Sequence, residues 1–496
     1  MTDQRDAPRP APRADMVTPV NPAASQAQSA ARAPGTRLVT AGVITFAAVV
    51  ASWLAFEAVN GALSLVDLTV YRDGGLIVRH VQPYYDPHAY APLYNWGGFS
   101  PLALKFTYTP FAAIAFALIS FLPWGVIVDG SVVVNMAALV AALWVTFRAL
   151  GYTDRRVRLG ATLLAAAATF WLQPVVRTIY LGQINLILMA AIMWDLLQPD
   201  QTASGRRRWW KGALTGVAAG IKLVPLIFVP YLLITRRFRE AAAAVAGFAV
   251  TIVIGFAVLP HDSSKWWLHG MFMADGNRTG FMGWAGNQSL RAIITRFAGS
   301  IAAGQAPWIA AAVVALAAGL TAAYLLNRAG YPVPALLATA LTGLLVSPVS
   351  WDHHWVWIAL AVAVAAHYAI GVGRPGARRP RTLSAARWLW ALAAGMVFFF
   401  AAWPDAIWEN ARTLGNFSLG FLWAQANTNP IKFAQHGDQP SYVEYHWHGF
   451  QLLWGNAYIL VGVALLLILL GIGLRLRNRP PSAEVSPQEP ATATIS

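Results

Sequence analysis

The sequence predicts an all-α polytopic membrane protein, and three observations carry that reading. The 496-residue chain is 57% hydrophobic and only 11% charged, whereas a soluble chain is about 25% charged. Its apolar residues gather into runs long enough to cross a ~30 Å hydrocarbon core. Most of its Lys and Arg lie at one end of these runs, so the formal charge of +15 is a topology signal. The basic residues form no aromatic-laced stripe, which argues against a nucleic-acid partner. Cysteine is absent, which excludes disulfides and thiolate metal sites.

Along the chain, residues 1–36 are rich in Pro, Ala, Arg and Ser and lack an apolar period. They are expected to form a disordered tail. A signal peptide is the rival reading, but the first apolar run is long enough to span and no small-residue cleavage site follows it. Full spans are expected at 38–60, 126–149, 157–173, 182–198, 240–259, 306–326, 333–349, 352–371, 388–403 and 454–474. Residues 37–477 then make one transmembrane domain, and 478–496 a second tail. The basic clusters at 148–158, 206–211, 236–239, 374–387 and 475–479 place those loops and both termini on the cytoplasmic side. The outer face of the plasma membrane receives large loops at 61–125, 261–305 and 404–453, with short turns at 173–181 and around Ser350.

Two segments do not fit simple spanning. Residues 108–124 begin with Thr109-Pro110 and end near Pro123. Were they to cross, the basic 148–158 loop would face out, so an interfacial or re-entrant helix is expected. Residues 211–234 are basic at both ends and too short for two crossings of ~20 residues. Two half-helices meeting near Lys222 and Pro225 satisfy both constraints, because irregular backbone at that depth is tolerated where it lines a cavity. No internal repeat is visible, which counts against an inverted-repeat transporter.

The polar residues that could do chemistry gather on the outer side. Asp67 follows the first span within Val66-Asp67-Leu68-Thr69-Val70-Tyr71-Arg72-Asp73. A carboxylate desolvated there gains the basicity of a useful proton acceptor. A helix cap, or an ion pair with Arg72 or Arg79, explains it equally well. Lys105, in Lys105-Phe106-Thr107-Tyr108, suits an anionic lipid phosphate, or simply snorkels beside an aromatic belt. Trp351-Asp352-His353-His354 is costly so near lipid and marks a site. Adjacent histidines diverge on a helix, so hydrogen bonding to a phosphate or sugar fits better than metal ligation; a polar helix start with Ser350 or Asp352 as cap is the alternative. Arg177, Gln183 and Asn185 lie in one inter-span turn. Asn287 and Gln288 precede a short amphipathic helix, and His446-Trp447-His448 lies in the late loop. Loop packing explains any of these three as well as ligand contact does. Lys222, inside a re-entrant hairpin, requires an anion or a wet cavity.

With these residues laid out, the chain resembles the actinobacterial polyprenol-phosphate-mannose-dependent α-(1→2)-mannosyltransferases, membrane enzymes of the GT-C class. The landmarks are Val66 to Tyr71, Phe106 to Phe111, Leu181-Gly182-Gln183-Ile184-Asn185, Gly220-Ile221-Lys222-Leu223-Val224-Pro225, Gly286-Asn287-Gln288-Ser289 and Ser347 to Trp355. Enzymes adding the fifth mannose to phosphatidylinositol mannosides are nearest, followed by those branching lipomannan. The resemblance implies a GT-C fold with about ten spans and a polyprenyl-phosphate-mannose donor. It implies a glycolipid acceptor among the membrane lipids, with neither cofactor nor metal. It implies that Asp67 is the base of an inverting transfer. Lys105, Tyr108, Arg177, Lys222, His353 and His354 would hold the donor phosphate or sugar. Tyr71, Asp73, Gln183, Asn185, Asn287, Gln288, Trp351 and Asp352 would line the cavity or meet the acceptor. Related arabinofuranosyltransferases share this scaffold. A transporter or lipid flippase shares the topology, although large outer loops suit a crevice better than a gated pathway.

Overall fold

The structure, a computed structural model, describes residues 22–60, 63–80, 93–94, 105–202, 204–270, 282–371, 383–402 and 443–478. The ends at 1–21 and 479–496, most of the 404–453 loop and parts of the 61–125 and 261–305 loops lie outside these residues.

α1 (Pro22–Asn60) starts well before residue 37, so helix replaces the last part of the expected tail. That stretch is rich in Ala, the strongest helix former. α2 (Val66–Val78) follows. α3 (Pro110–Ile119) starts on a proline, whose fixed φ suits the first helical position. Thr109 caps it, accepting from Ala112 N at 3.2 Å. At ten residues α3 is shorter than the ~20 a straight crossing needs. α4 (Trp124–Ala149) and α5 (Arg155–Phe170) come next. The Asp154 carboxylate caps α5 through Arg156 N and Val157 N at 2.7 and 3.1 Å.

The expected turn at 173–181 is instead a nine-residue helix, α6 (Gln173–Leu181), with Pro174 in its first turn. It meets α7 (Asn185–Leu197) at 115°. Its apolar face, including Val175, Val176 and Ile179, is buried, which is why it folds as a helix. α8 (Ala213–Ile221) stops at Lys222, whose φ of −140° and ψ of 123° are extended. A 3₁₀ turn (Val224–Ile227) and α9 (Phe228–Ile234) carry the chain back to α10 (Phe238–Val258).

The hairpin's register explains its shape. Gly212, Gly216 and Gly220 of the α8 segment face Glu240, Ala244 and Thr251, so α8 runs parallel to α10. A Cβ at Gly216 would overlap Ala244 O. Small residues at such spacing let backbones touch, which matters in lipid, where burial alone gives no hydrophobic gain. Asp195 on α7 is fully buried and caps α8, accepting from Gly212 N, Thr215 N and Thr215 Oγ1 at 2.8–2.9 Å. Lys211 pairs with Asp200 and lies 3.8 Å from Glu240, which Arg237 reaches at 3.3 Å. Both ends of 211–234 therefore meet at one level, and the chain turns back at Lys222.

α11 (Leu290–Ala298), α12 (Ile301–Arg328) and α13 (Pro332–Val346) follow. A 3₁₀ turn (Asp352–Val356) then leads into α14 (Trp357–Ile370). α15 (Leu383–Phe400) and α16 (Ala457–Leu476) follow. Phe400 and Tyr458 stack at 3.9 Å, with Trp355 6.0 Å from each. This buried aromatic knot seats the 3₁₀ turn. Among the described residues six helices are long and apolar enough to cross a membrane, or seven if α6 and α7 form one broken span. The other expected spans fall on shorter helices; α5, α7 and α13 run 16, 13 and 15 residues, where a straight crossing needs ~20.

Candidate active site

Asp67 stands in the first turn of α2. The preceding Leu65 takes φ 49° and donates its N–H to Tyr180 O at 3.0 Å. This ties the start of α2 to the end of α6. Gly182 closes α6 at φ +68°, and a Cβ there would sit 2.5 Å from Leu68 Cβ. Only glycine fits both the left-handed backbone and that approach. The turn it makes delivers Gln183 and Asn185 to the same site.

Asp67 is half-buried. Burial raises its proton affinity above that of an ordinary carboxylate, opposed by His353, by a hydrogen bond from Gln183, and by Lys222 and Arg177. Four sequence-predicted residues from three other elements thus converge on it. Beneath them Gln183 meets two tyrosines. Tyr71 Oη donates to Gln183 Oε1 at 2.6 Å and lies 2.8 Å from Tyr108 Oη. Burial pushes both hydroxyls above the usual tyrosine range, so they act as neutral groups.

Lys222 forms the cationic side. Its Nζ lies 2.8 Å from both Asn185 Oδ1 and His354 Nε2 and 5.8 Å from the centre of the Tyr108 ring. Asn185 Nδ2 and Thr178 Oγ1 hold His353 O at 2.9 and 3.1 Å. Asp352 is buried and fully engaged. Arg177 Nε lies 3.2 Å and Gln173 Nε2 2.5 Å from its Oδ2, while His353 N donates to Oδ1 at 2.8 Å. His353 Nδ1 lies 3.2 Å from the same Oδ1. His353 Nε2 and His354 Nδ1 are buried without a hydrogen-bond partner among the described residues. From this polar cluster a cleft runs between α7, the 224–228 turn, α13 and α14. Asn185, Lys222 and His354 line one part of it, and Leu188, Ile192, Phe228, Leu344 and Trp357 are among its apolar walls.

The remaining candidates lie elsewhere or play other parts. Asp73 is buried, raised to about 6 by desolvation, and opposed by Arg72 alone of the site's neighbours. Six residues after Asp67, it points to a different side of α2. Lys105 is half-buried in the lead into α3, and among the described residues no hydrogen bond or ion pair joins it to the cluster. Asn287 and Gln288 are buried and bond to backbone. Asn287 Oδ1 accepts from Ser350 N at 2.9 Å, and Gln288 Nε2 donates to Ala285 O and Gly455 O at 2.8 Å. Their contacts brace the loop that carries Asp352, whose N donates to Gly286 O at 2.8 Å. Trp351 pairs with Asn287 across a short bridge and packs edge-on against Trp284 at 5.5 Å. Of His446-Trp447-His448, Trp447 is buried near Arg296 and His448 is exposed. Among the described residues no three His, Asp or Glu side chains converge as metal ligands do.

Three contributors escaped the sequence reading. Gln173 holds Asp352, and Tyr458 Oη donates to Gln173 Oε1 at 2.8 Å. Thr109 Oγ1 donates to Gly220 O, fastening α3 to the hairpin tip. A glutamine within an otherwise apolar stretch, Trp171-Leu172-Gln173-Pro174, was a legible signal. Tyr458, at the start of an apolar span, gave none.

The model of glycosyltransferase family 87 matches residues 106–348. A Mycobacterium tuberculosis polyprenol-phosphate-mannose-dependent alpha-(1-2)-phosphatidylinositol pentamannoside mannosyltransferase is 35% identical over 329 residues, 66% of this chain and 72% of the relative. A phosphatidylinositol mannoside mannosyltransferase of the same organism and donor dependence is 34% identical, over 55% of this chain and 65% of its own length. An alpha-(1->3)-arabinofuranosyltransferase from M. tuberculosis is 31% identical over 38% of each chain. No solved structure matches the chain. The chain belongs to glycosyltransferase family 87.

Proposed function

We propose that the protein moves mannose from polyprenyl-phosphate-mannose to the 2-hydroxyl of a mannose on a phosphatidylinositol mannoside or lipomannan acceptor. On this reading transfer takes place at the outer face of the plasma membrane, with inversion at the anomeric carbon. The carrying observation is the placement of Asp67. Its half-buried carboxyl faces Lys222, Arg177 and His353, with an apolar cleft leading away from Lys222.

The chemistry then follows from these residues. The polyprenyl chain lies along the apolar walls, and the donor phosphate meets Lys222, His353 and His354. Asp67 takes the proton of the acceptor hydroxyl. The new C1–O bond forms as the C1–O bond to phosphate breaks, and polyprenyl phosphate leaves against the cationic side. Donors fixed where charge develops are the largest expected contribution to rate. Arg177 is partly neutralised by Asp352, so Lys222, whose two hydrogen-bond partners are an amide oxygen and an imidazole, is the stronger phosphate ligand. Membrane lipids supply both substrates.

The test is a cell-free reaction of the purified chain with polyprenyl-phosphate-mannose and each acceptor, read by mass. The expected result is one hexose added, with an equal amount of polyprenyl phosphate released. The similarity to an arabinofuranosyltransferase makes polyprenyl-phosphate-arabinose the necessary competing donor. Pentose transfer without hexose transfer overturns the donor assignment. Movement of intact donor across a vesicle membrane without release of polyprenyl phosphate replaces the enzyme with a flippase.

A further inference from the structure

We propose that the two turns at the base of the re-entrant hairpin, 206–210 and 235–239, form a docking surface for the headgroup of an acidic phospholipid. Between residues 195 and 240, Lys222 apart, the chain carries seven Lys and Arg against three Asp and Glu. The fold gathers them around the end of α7. Arg237 Nη2 donates to Leu196 O at 3.1 Å and Arg208 Nε to Pro199 O at 3.2 Å. Arg148 reaches in from α4, its Nη2 3.3 Å from Leu197 O. A short antiparallel bridge between Gln201 and Arg207 closes the first turn, and Arg208 N donates to Asp200 O at 2.9 Å. In the second turn Arg236 N donates to Leu233 O at 3.0 Å and Arg237 N to Leu232 O at 2.8 Å.

The three carboxylates are already engaged. Asp195 caps α8, Asp200 pairs with Lys211, and Glu240 faces Lys211 and Arg237. Arg206, Arg207, Arg236 and Arg239 remain; they are exposed and make no ion pair among the described residues. Like charges gathered this way repel one another, and an anion laid across the two turns relieves that repulsion. The aromatic residues set the depth. Trp209 in the first turn is 84% exposed and Phe238 in the second 61%. Trp194 stacks on Trp210 beside them, with ring centres 5.4 Å apart. Indole rings settle at the headgroup level of a bilayer, so the four free guanidiniums meet lipid phosphates there, whose geometry their planar forks match. A zwitterionic headgroup also brings an ammonium group, which the same arginines repel. The surface therefore favours a lipid of net negative charge. It lies apart from the catalytic cluster, because the nine residues of α8 separate it from Lys222 by ~14 Å of helix. Binding there is measured without any reaction.

The experiment titrates the purified full chain in neutral detergent with phosphatidylglycerol and, separately, with phosphatidylcholine of the same acyl chains. Bound lipid is counted by native mass spectrometry. The parent should bind phosphatidylglycerol at least about tenfold more tightly, and the preference should shrink as ionic strength rises. Arg207→Gln with Arg239→Gln removes one cation from each turn and none of the side-chain bonds that hold the turns. Each cation near a membrane surface is worth about fivefold in affinity, so the pair should weaken phosphatidylglycerol binding about thirtyfold. Its phosphatidylcholine binding should match the parent's. Arg475→Gln with Arg477→Gln removes the same charge from the exposed end of α16, and should keep phosphatidylglycerol affinity within about threefold of the parent. Equal losses in the two pairs overturn the proposal, leaving a general attraction between charges and no defined surface. A parent that binds the two lipids alike overturns it without recourse to any variant.

Discussion

Arg177 Nε lies 3.2 Å from Asp352 Oδ2, and this ion pair separates the roles of the two acids at the site. Asp352 also receives Gln173 and the His353 backbone. Its lone pairs are spent on orienting cations and the 3₁₀ turn. Asp67 has cationic neighbours, but desolvation is the larger influence and raises its proton affinity. One acid is held ionised by its partners, while burial raises the proton affinity of the other, as the proposed base requires.

Asp67→Asn should therefore lower turnover by ~10²–10⁴-fold, the usual worth of general base catalysis, while donor binding persists. The sign of the pH dependence follows from the raised proton affinity. Catalysis needs the carboxylate, so activity should fail on acidification at a pH above ~4, where an exposed Asp protonates. Asp352→Asn should cost less at the chemical step and more in stability, because it strands Arg177 in a buried site. Steady-state rates with a melting curve for each variant decide this. A dead Asp352→Asn beside an Asp67→Asn with over about a tenth of parental rate makes the Asp-His-His cluster the catalytic centre, since that loss falls outside the range for a base.

Lys222→Ala removes the cation at the head of the apolar cleft. A hydrogen bond to a charged group contributes ~1.5–3 kcal/mol, so the donor KM should rise about tenfold to a hundredfold. The acceptor KM should change little. The variant also leaves Asn185 Oδ1 and His354 Nε2 without their shared partner, so folding must be checked by gel filtration. A stable Lys222→Ala protein with an unchanged donor KM ends the phosphate assignment.

Much of this site was legible because its residues are polar where lipid makes polarity costly. Lys222 between Gly220 and Pro225, and Asp352-His353-His354 between tryptophans, announced themselves that way. The hairpin was legible because charge at both ends and a length of about one crossing leave few other solutions. What the sequence hid was partnership. Nothing in the local pattern says that Gln183 closes a ring with Tyr71 and Tyr108, which lie 112 and 75 residues away. Asp67 and Asp73 look alike in sequence, and only helical phase and neighbours separate them. Helix α6 was missed because nine residues are too few to show a period, and its formation is decided by the buried face of Val175, Val176 and Ile179.

Sidedness is checked by introduced cysteines, since the chain has none of its own. Gly205 is exposed and a Cβ there would meet no atom within 4 Å, so Cys there is accessible, although its left-handed φ of +77° strains any side chain. The basic stretch 206–211 next to it should be cytoplasmic. In intact cells an impermeant maleimide should spare Gly205→Cys and label Gln439→Cys. After permeabilisation both should react. Labelling of Gly205→Cys from outside inverts the proposed topology and moves the site to the inner face.

Asp73 supplies a stability test that activity does not enter. Its folded pKa is about 6 against an ordinary value of 3.8, because burial outweighs the Arg72 charge. The folded chain therefore binds more protons than the unfolded chain between those values. By linkage, stability must fall as pH rises through that window. Below about 3.8 the carboxyl is protonated in both states, and above about 6 the full penalty is present. Asp73→Asn keeps the shape and removes the titration. Its melting temperature at pH 7 should exceed that of the parent, and the gap should close toward pH 4. The Arg72 ion pair works against this, but at 4.0 Å it is long, and the Arg72 guanidinium retains its place over the Trp124 ring at 5.5 Å. A variant less stable than the parent at pH 7 would show instead that the Arg72 pairing outweighs the desolvation of Asp73.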